Sequence, residues 1–252
     1  MRKLINRIKR QLPVVLLTLV VTVVFLFHTS GAFHWRLIEQ LENLLYDTRV
    51  KLTMPGGIDE RIVIVDIDEL SLSEIGRWPW GRDHVAKMVD ELFDYYQIQL
   101  LGFDIVFSEP DDSSGLSILE KLGRDELSDL HEFQQRVDEL RDQLDYDLVF
   151  RNSLSNRQVI LGYYFQLLAS EEDASENGIL PLSVFKKDDF SEESRILAQF
   201  APGYNANLPM LQQVAVGGGH FNPWIDGDGV VRRVPLLIEY EEQYYESLAL
   251  AM

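Results

Sequence analysis

The chain of 252 residues contains no cysteine. That absence excludes disulfide bonds, thiolate metal sites and thiol nucleophiles. Basic residues are scarce too, 23 against 41 acids. Five of the 23, Arg2, Lys3, Arg7, Lys9 and Arg10, fall in the opening MRKLINRIKR, which holds no acid. The remainder carries eighteen basic and 41 acidic groups, a net charge of −23. A surface that acidic repels phosphate backbones, so nucleic acid is discounted as a partner.

The common catalytic and nucleotide-binding signatures are missing as well. There is no GxSxG, GxGxxG or GxxxxGK, and GGGH at 217–220 fits none of them. HEFQQ at 131–135 has glutamine where a zincin has its second histidine, and the five histidines are scattered. DGDG at 226–229 starts like a calcium loop but lacks the later oxygen ligands and closing glutamate, so it reads as a turn. No residue set here reads as an active site, and no cofactor is implied for this region.

What the chain does have is a long apolar run, LPVVLLTLVVTVVFLF at 12–27. Sixteen helical residues rise ~24 Å, short of a ~30 Å hydrocarbon core. Extension through His28 to Trp35 supplies the length and places Phe33 and Trp35 as interfacial aromatics. The basic cluster before the run predicts a cytoplasmic N-terminus (1–11), a membrane anchor (12–35) and an exported body. A cleavable signal peptide, with Ser30 and Ala32 before the cut, is the alternative. A buried core helix fits poorly, because the run has no polar face.

The body begins with RLIEQLENLLYDTRVKL, whose Leu37, Leu41, Leu44, Leu45 and Tyr46 share a helical face and which MPGG at 54–57 stops. Residues 36–57 are thus a juxtamembrane helix and turn, and 58–252 the main domain. Ile62–Ile67 has the pattern of a strand buried on both faces. Val85, Met88, Val89, Leu92 and Phe93 mark an amphipathic helix, and LLGFDIVF at 100–107 a second strand. The three predict a right-handed βαβ unit in a parallel sheet, an α/β fold with flanking helices. A turn-rich loop is expected over 108–126. Leu127, Leu130, Phe133, Val137, Leu140, Leu144 and Leu148 then predict one long helix, and QVILGYYF at 158–165 a third strand. After acidic loops at 169–195, VAVGGGHFN and VVRRVPLLIEY are expected as an antiparallel pair across DGDG, Pro235 marking the second as an edge or bulged strand. YYESLALAM reads as a helix just beginning, so a longer protein is expected.

The stretch IVIVDIDELSLSEIGRWPWGRDHVAKMVDEL at 62–92 holds the candidate site. Asp66 and Asp68 close the first expected strand, Asp104 lies in the second and Glu109 just beyond it. Ligands of open α/β sheets bind beyond the carboxyl ends of the strands, so these acids are placed to hold a divalent cation or a cationic group. A purely structural use is the alternative: paired with Arg82, they would serve stability alone. Trp78 and Trp80, rigidified by Pro79, offer flat surfaces for a ligand or the plug of a strand-to-helix connection.

Three separated blocks, the stretch just quoted, LLGFDIVFSEPD and FNPWIDGDGVVRRVPLLI, together with LLYDTRVKL, resemble the second type of CHASE domain, the cyclases and histidine kinases associated sensory extracellular domain. The resemblance runs from about residue 36 to the end. It implies a bacterial inner-membrane receptor: an N-terminal membrane helix, an extracytoplasmic sensory domain, three further membrane helices and a cytoplasmic cyclase or kinase. LSILEKLGRDELSDL, LDYDLVFRNSL and VILGYYF look most like versions attached to adenylate/guanylate cyclases. It also implies a homodimer, through 36–52 or 127–150, answering an unidentified small ligand or physical cue. Alternatives are a histidine or serine/threonine kinase receptor, a released periplasmic binding protein, and a periplasmic carboxylate enzyme.

Overall fold

The computed structural model describes residues 2–30, 35–170, 172–191 and 196–252, with side chains from residue 13 onward except that of residue 28. It divides into two units, Met1–Asp66 and Ile67–Met252.

The first unit is two helices and an extended tail. Helix α1 spans Arg2–Thr29, and Thr18 and Thr22 donate their hydroxyls to the carbonyls of Val14 and Thr18, each at 2.9 Å. Among the described residues, no helix is long and apolar enough to cross a membrane. The apolar side chains described run from Pro13 to Phe27, which is about 22 Å of helix, and the expected anchor includes 31–34, outside the described residues. Helix α2, Arg36–Thr53, ends where MPGG predicted, with Met54 donating its N–H to Val50 at 2.7 Å. Its leucine face is exposed.

The expected strand at 62–67 does not form. Residues 62–68 join no ladder, and Ile64 is 88% exposed, with Ile62, Val63 and Val65 also open. A β-branched run reports strand propensity, but it says nothing of which edge will accept the strand. The predicted βαβ unit of 62–67, 82–93 and 100–107 is therefore corrected.

A parallel crossover is nevertheless present, one step later in the chain. In the second unit, α3 (Glu69–Ile75) and α4 (Arg82–Asp90) precede β1 (Leu101–Phe103). Helices α5 (Leu116–Arg124), α6 (His131–Leu144) and α7 (Tyr146–Leu154) carry the chain to β2 (Val159–Phe165). Strands β1 and β2 pair in parallel, Leu101 opposite Val159. Helix α5 lies inside the stretch expected as a loop. The single helix expected after it is broken at Asp145, whose carboxylate caps α7 by accepting the Leu148 N–H at 3.0 Å.

Short strands follow: β3 (Glu176–Asn177), β4 (Phe185–Lys186), β5 (Gln199–Phe200) and β6 (Tyr204–Asn205). Then come α8 (Pro209–Gln212), β7 (Gly217–His220), β8 (Trp224–Ile225) and β9 (Val231–Arg233). The chain closes with β10 (Leu237–Tyr240), β11 (Gln243–Glu246) and the turn α9 (Leu248–Ala251). Strand β7 runs parallel to β2, with Tyr163 opposite His220, so 214–222 belongs to the main sheet. The antiparallel pair across DGDG is β8–β9, and β10 pairs instead with β11.

Helix α4 buries Val85, Ala86 and Val89, the face its spacing predicts, with Phe103, Phe107, Phe150, Leu154, Val159 and Leu161. A second cluster gathers Tyr163, Phe165, Ala201, Ala206, Ile238, Tyr240 and Tyr245. Two buried asparagines complete the sheet. Asn207 accepts the Phe107 N–H at 2.9 Å and donates to Gly162 at 3.0 Å. Asn222 accepts the Phe165 N–H at 2.8 Å and donates back to the Phe165 carbonyl at 2.7 Å.

Candidate functional site

The segment GRWPWGR turns the chain from α3 into α4, and Gly76, Trp78, Trp80, Gly81 and Arg82 each have a local contact. Asp68 caps α3: its carboxylate accepts the N–H and the hydroxyl of Ser71, at 2.8 and 2.7 Å. Those bonds, the hydroxyl first, hold its pKa below the ordinary value. The Trp80 indole donates to the Gly76 carbonyl at 2.8 Å and stacks edge-on against Trp78, centroids 5.5 Å apart. Gly81 begins α4 in a tight place, since a Cβ there would lie 2.8 Å from Asp83 Oδ1 and 3.0 Å from Ser113 Oγ.

Arg82 is the hub. It is 8% exposed, and its guanidinium donates to Asp147 Oδ1 and to the Glu109 backbone carbonyl. The group lies over the Phe107 ring, 5.4 Å from its centroid. The Arg82 backbone N–H donates to Asp111 Oδ2 at 2.6 Å, while the Asp111 N–H donates to Asp147 Oδ2 at 3.1 Å. Burial pushes the Asp111 carboxyl up, but bonds from Ser113 and the Arg82 N–H, with the Arg82 charge, outweigh it and leave its pKa lowered. One arginine thus ties the start of α4, the 107–113 loop and the first turn of α7 into a joint. Its two outer nitrogens are engaged within the protein, so the joint positions its neighbours and offers no free fork to an anion.

The acids expected around Arg82 are distributed otherwise. Asp66 is exposed in the first unit, Asp104 is exposed past β1, and the Glu109 side chain is exposed while only its carbonyl meets Arg82. The partner is Asp147, which sequence reasoning passed over inside LDYDLVF. Its signal was an acid in the first turn of a helix whose buried face also carries Phe150 and Leu154. Among the described residues, no group of three or more His, Cys, Asp or Glu is placed to hold a metal ion. DGDG is the turn its pattern suggested: Gly229 takes φ +82°, Asp226 and Asp228 both bind Arg232, and Arg233 adds a second contact to Asp226.

The C-terminal turn has its own seat. A Cβ at Gly219 would overlap the Leu248 Cα and lie 2.6 Å from its nitrogen, and one at Gly102 would overlap the Met252 sulfur. GGGH is therefore a close-packing device, which lets α9 rest directly on the backbone of β7.

The family model for the CHASE2 domain matches residues 17–252. No curated protein and no solved structure matches the chain.

Proposed function

Because the chain belongs to the CHASE2 domain family, the extracellular sensory domains of signalling receptors, we propose that it is the sensory region of a membrane-bound bacterial receptor whose output is an adenylate/guanylate cyclase. The observation that carries this reading is the family match over nearly the whole chain. The finer assignments rest on the sequence. The basic start and the run 12–27 support a retained anchor over 12–35 with a cytoplasmic N-terminus, in the inner membrane. The three blocks most like cyclase-linked versions support the output, and cyclase dimers in turn favour self-association through α2 or 127–150.

A stimulus acts by stabilising one packing of the domain over another, since only differential affinity shifts such an equilibrium. The half-buried Trp78 and Trp80 and the exposed Glu109, whose carbonyl Arg82 holds, are the groups we propose meet it, with Asp104 exposed past β1 as a further candidate. The seat of α9 on β7 supports a route onward, because a shift of the sheet is passed to the C-terminal turn by backbone contact.

The test is cyclic nucleotide production from ATP and GTP by membranes carrying the complete reading frame, with and without residues 36–252. Activity that changes on deletion supports a receptor cyclase. No cyclase activity in either form moves the output to a kinase, to be read by phosphorylation. A chain found free of membranes, starting near Phe33, replaces the anchor with a cleaved signal.

A further inference from the structure

The two faces of the main sheet carry different chemistry. Gly102 and Gly219 lie on the face that receives the C-terminal turn. Tyr163 and Phe165 on β2 and His220 on β7 project from the opposite face, since Tyr163 is in register with His220 and Phe165 lies two residues on. Ser247, just past β11, is in a parallel bridge with His220 and extends the row on that face.

The row is closed to solvent. Tyr163 and His220 have no exposed surface and Ser247 has 1%. Phe165 packs 6.0 Å from the imidazole, centroid to centroid, and Tyr240 on β10 and Tyr245 on β11 lie 6.0 and 5.6 Å from Phe165. Yet both ring nitrogens of His220, the Tyr163 hydroxyl and the Ser247 hydroxyl lack a protein hydrogen-bond partner. Among the described residues, six buried side-chain atoms are in that position, and these four fall in three neighbouring residues. Such clustering marks one site rather than scattered packing faults. Stranding four polar atoms in the core would consume much of the margin by which a domain is stable.

The chemistry of the row decides what it takes. Burial lowers the His220 pKa to about 4, and Tyr163 is pushed well above its ordinary value, first by burial and then by Tyr245 and Glu246. Both side chains are therefore neutral at neutral pH, and the row has no charge to pair with an ion. A neutral imidazole offers one donor and one acceptor, and each hydroxyl offers a donor and an acceptor. The occupant must be neutral and must donate and accept together, and water is the smallest molecule that does both.

We infer that Tyr163, His220 and Ser247 line an internal water site, through which β2 and β7 are hydrogen-bonded to the segment that follows β11. The water is then a structural component of the sheet, held where direct contact between the three side chains is not made. The inference goes beyond the receptor reading and stands on the sheet alone, whatever output follows.

Two measurements on the full chain test it. The first is a crystal structure that shows ordered water. Density within about 2.7–3.2 Å of polar atoms from at least two of the three side chains is the expected result. No such density, or side chains that have turned to bond one another directly, overturns the proposal. The second is the thermal midpoint of Tyr163→Phe and Ser247→Ala, which each remove one hydroxyl. A hydroxyl bonded to water is missed, so each midpoint should fall by roughly 2–4 °C, the shift for one hydrogen bond in a domain of this size. A stranded hydroxyl is better lost, so midpoints that rise or stay level overturn the water site. If either variant does not fold, the density in the native chain decides.

Discussion

Arg82 and Asp147, 65 positions apart in the chain, share a buried ion pair between the start of α4 and the first turn of α7. The pair is nearly enclosed, with side-chain exposures of 9% and 11%. Charges taken that far from water need each other, because either one alone faces an uncompensated desolvation cost.

Asp147→Asn should therefore destabilise the protein by about 3–5 kcal/mol, whereas Arg82→Met combined with Asp147→Leu should recover most of that loss. Urea unfolding followed by tryptophan fluorescence reads both, with Trp78 and Trp80 close to the joint. A loss of less than about 1 kcal/mol in Asp147→Asn would show the pair to be dispensable.

The seat of the C-terminal turn makes a separate prediction. Gly219→Ala places a methyl group against the Leu248 backbone, which cannot swing aside as a side chain would. The expected cost is about 1–3 kcal/mol, with faster exchange confined to 247–252. Gly56→Ala is the control, since its Cβ would meet nothing within 4 Å. Equal effects in the two variants would refute the close-packing role of GGGH.

Asn222 serves both backbone groups of Phe165, so its removal strands an N–H and a carbonyl together. At about 1–3 kcal/mol for each of the two groups, Asn222→Ala should lose roughly 2–6 kcal/mol. Thermal unfolding by circular dichroism measures this, and a native midpoint would mean the sheet end closes by other means.

Asp228 predicts a pH dependence in the β8–β9 turn. The bond from Arg232, then that from the Val230 N–H, holds its pKa down to about 2 from 3.8. Its contribution is complete above 3.8 and is lost as pH falls through about 2. The carboxyl carbon shift of Asp228 should thus show an ionised group at about pH 3 in the native chain. In Arg232→Gln the midpoint should return towards 3.8. Identical titrations in both forms would count against the pairing.

Local patterns carried the reading as far as local physics reaches. The spacing of Val85, Met88 and Val89 picked the buried face of α4, MPGG marked the end of α2, and DGDG marked a turn, because each signal acts within a few residues. Leu127–Leu148 misled because an apolar spacing does not register a capping aspartate in its midst, and Asp145 ends one helix and starts the next.

The candidate site was legible in kind and not in its pairs. RWPWGR stood out in the sequence, and a carboxylate partner for Arg82 was one of two uses considered, with Asp66, Asp68, Asp104 and Glu109 as the candidates and not Asp147. Which carboxylate it takes depends on the crossover that brings α7 to α4, and no spacing between residues 82 and 147 encodes that.

The sequence by itself therefore determined the family, the charge, the helix faces and the turns, all of which are properties of short windows or of composition. The tertiary structure alone decided that Val159–Phe165 is the central strand, that Ile62–Val65 stays outside every ladder, and that Tyr163, His220 and Ser247 stand in one row. Strand partners and buried neighbours are chosen by competition among distant segments for the same edges and the same core, and that competition is settled only when the whole chain is folded.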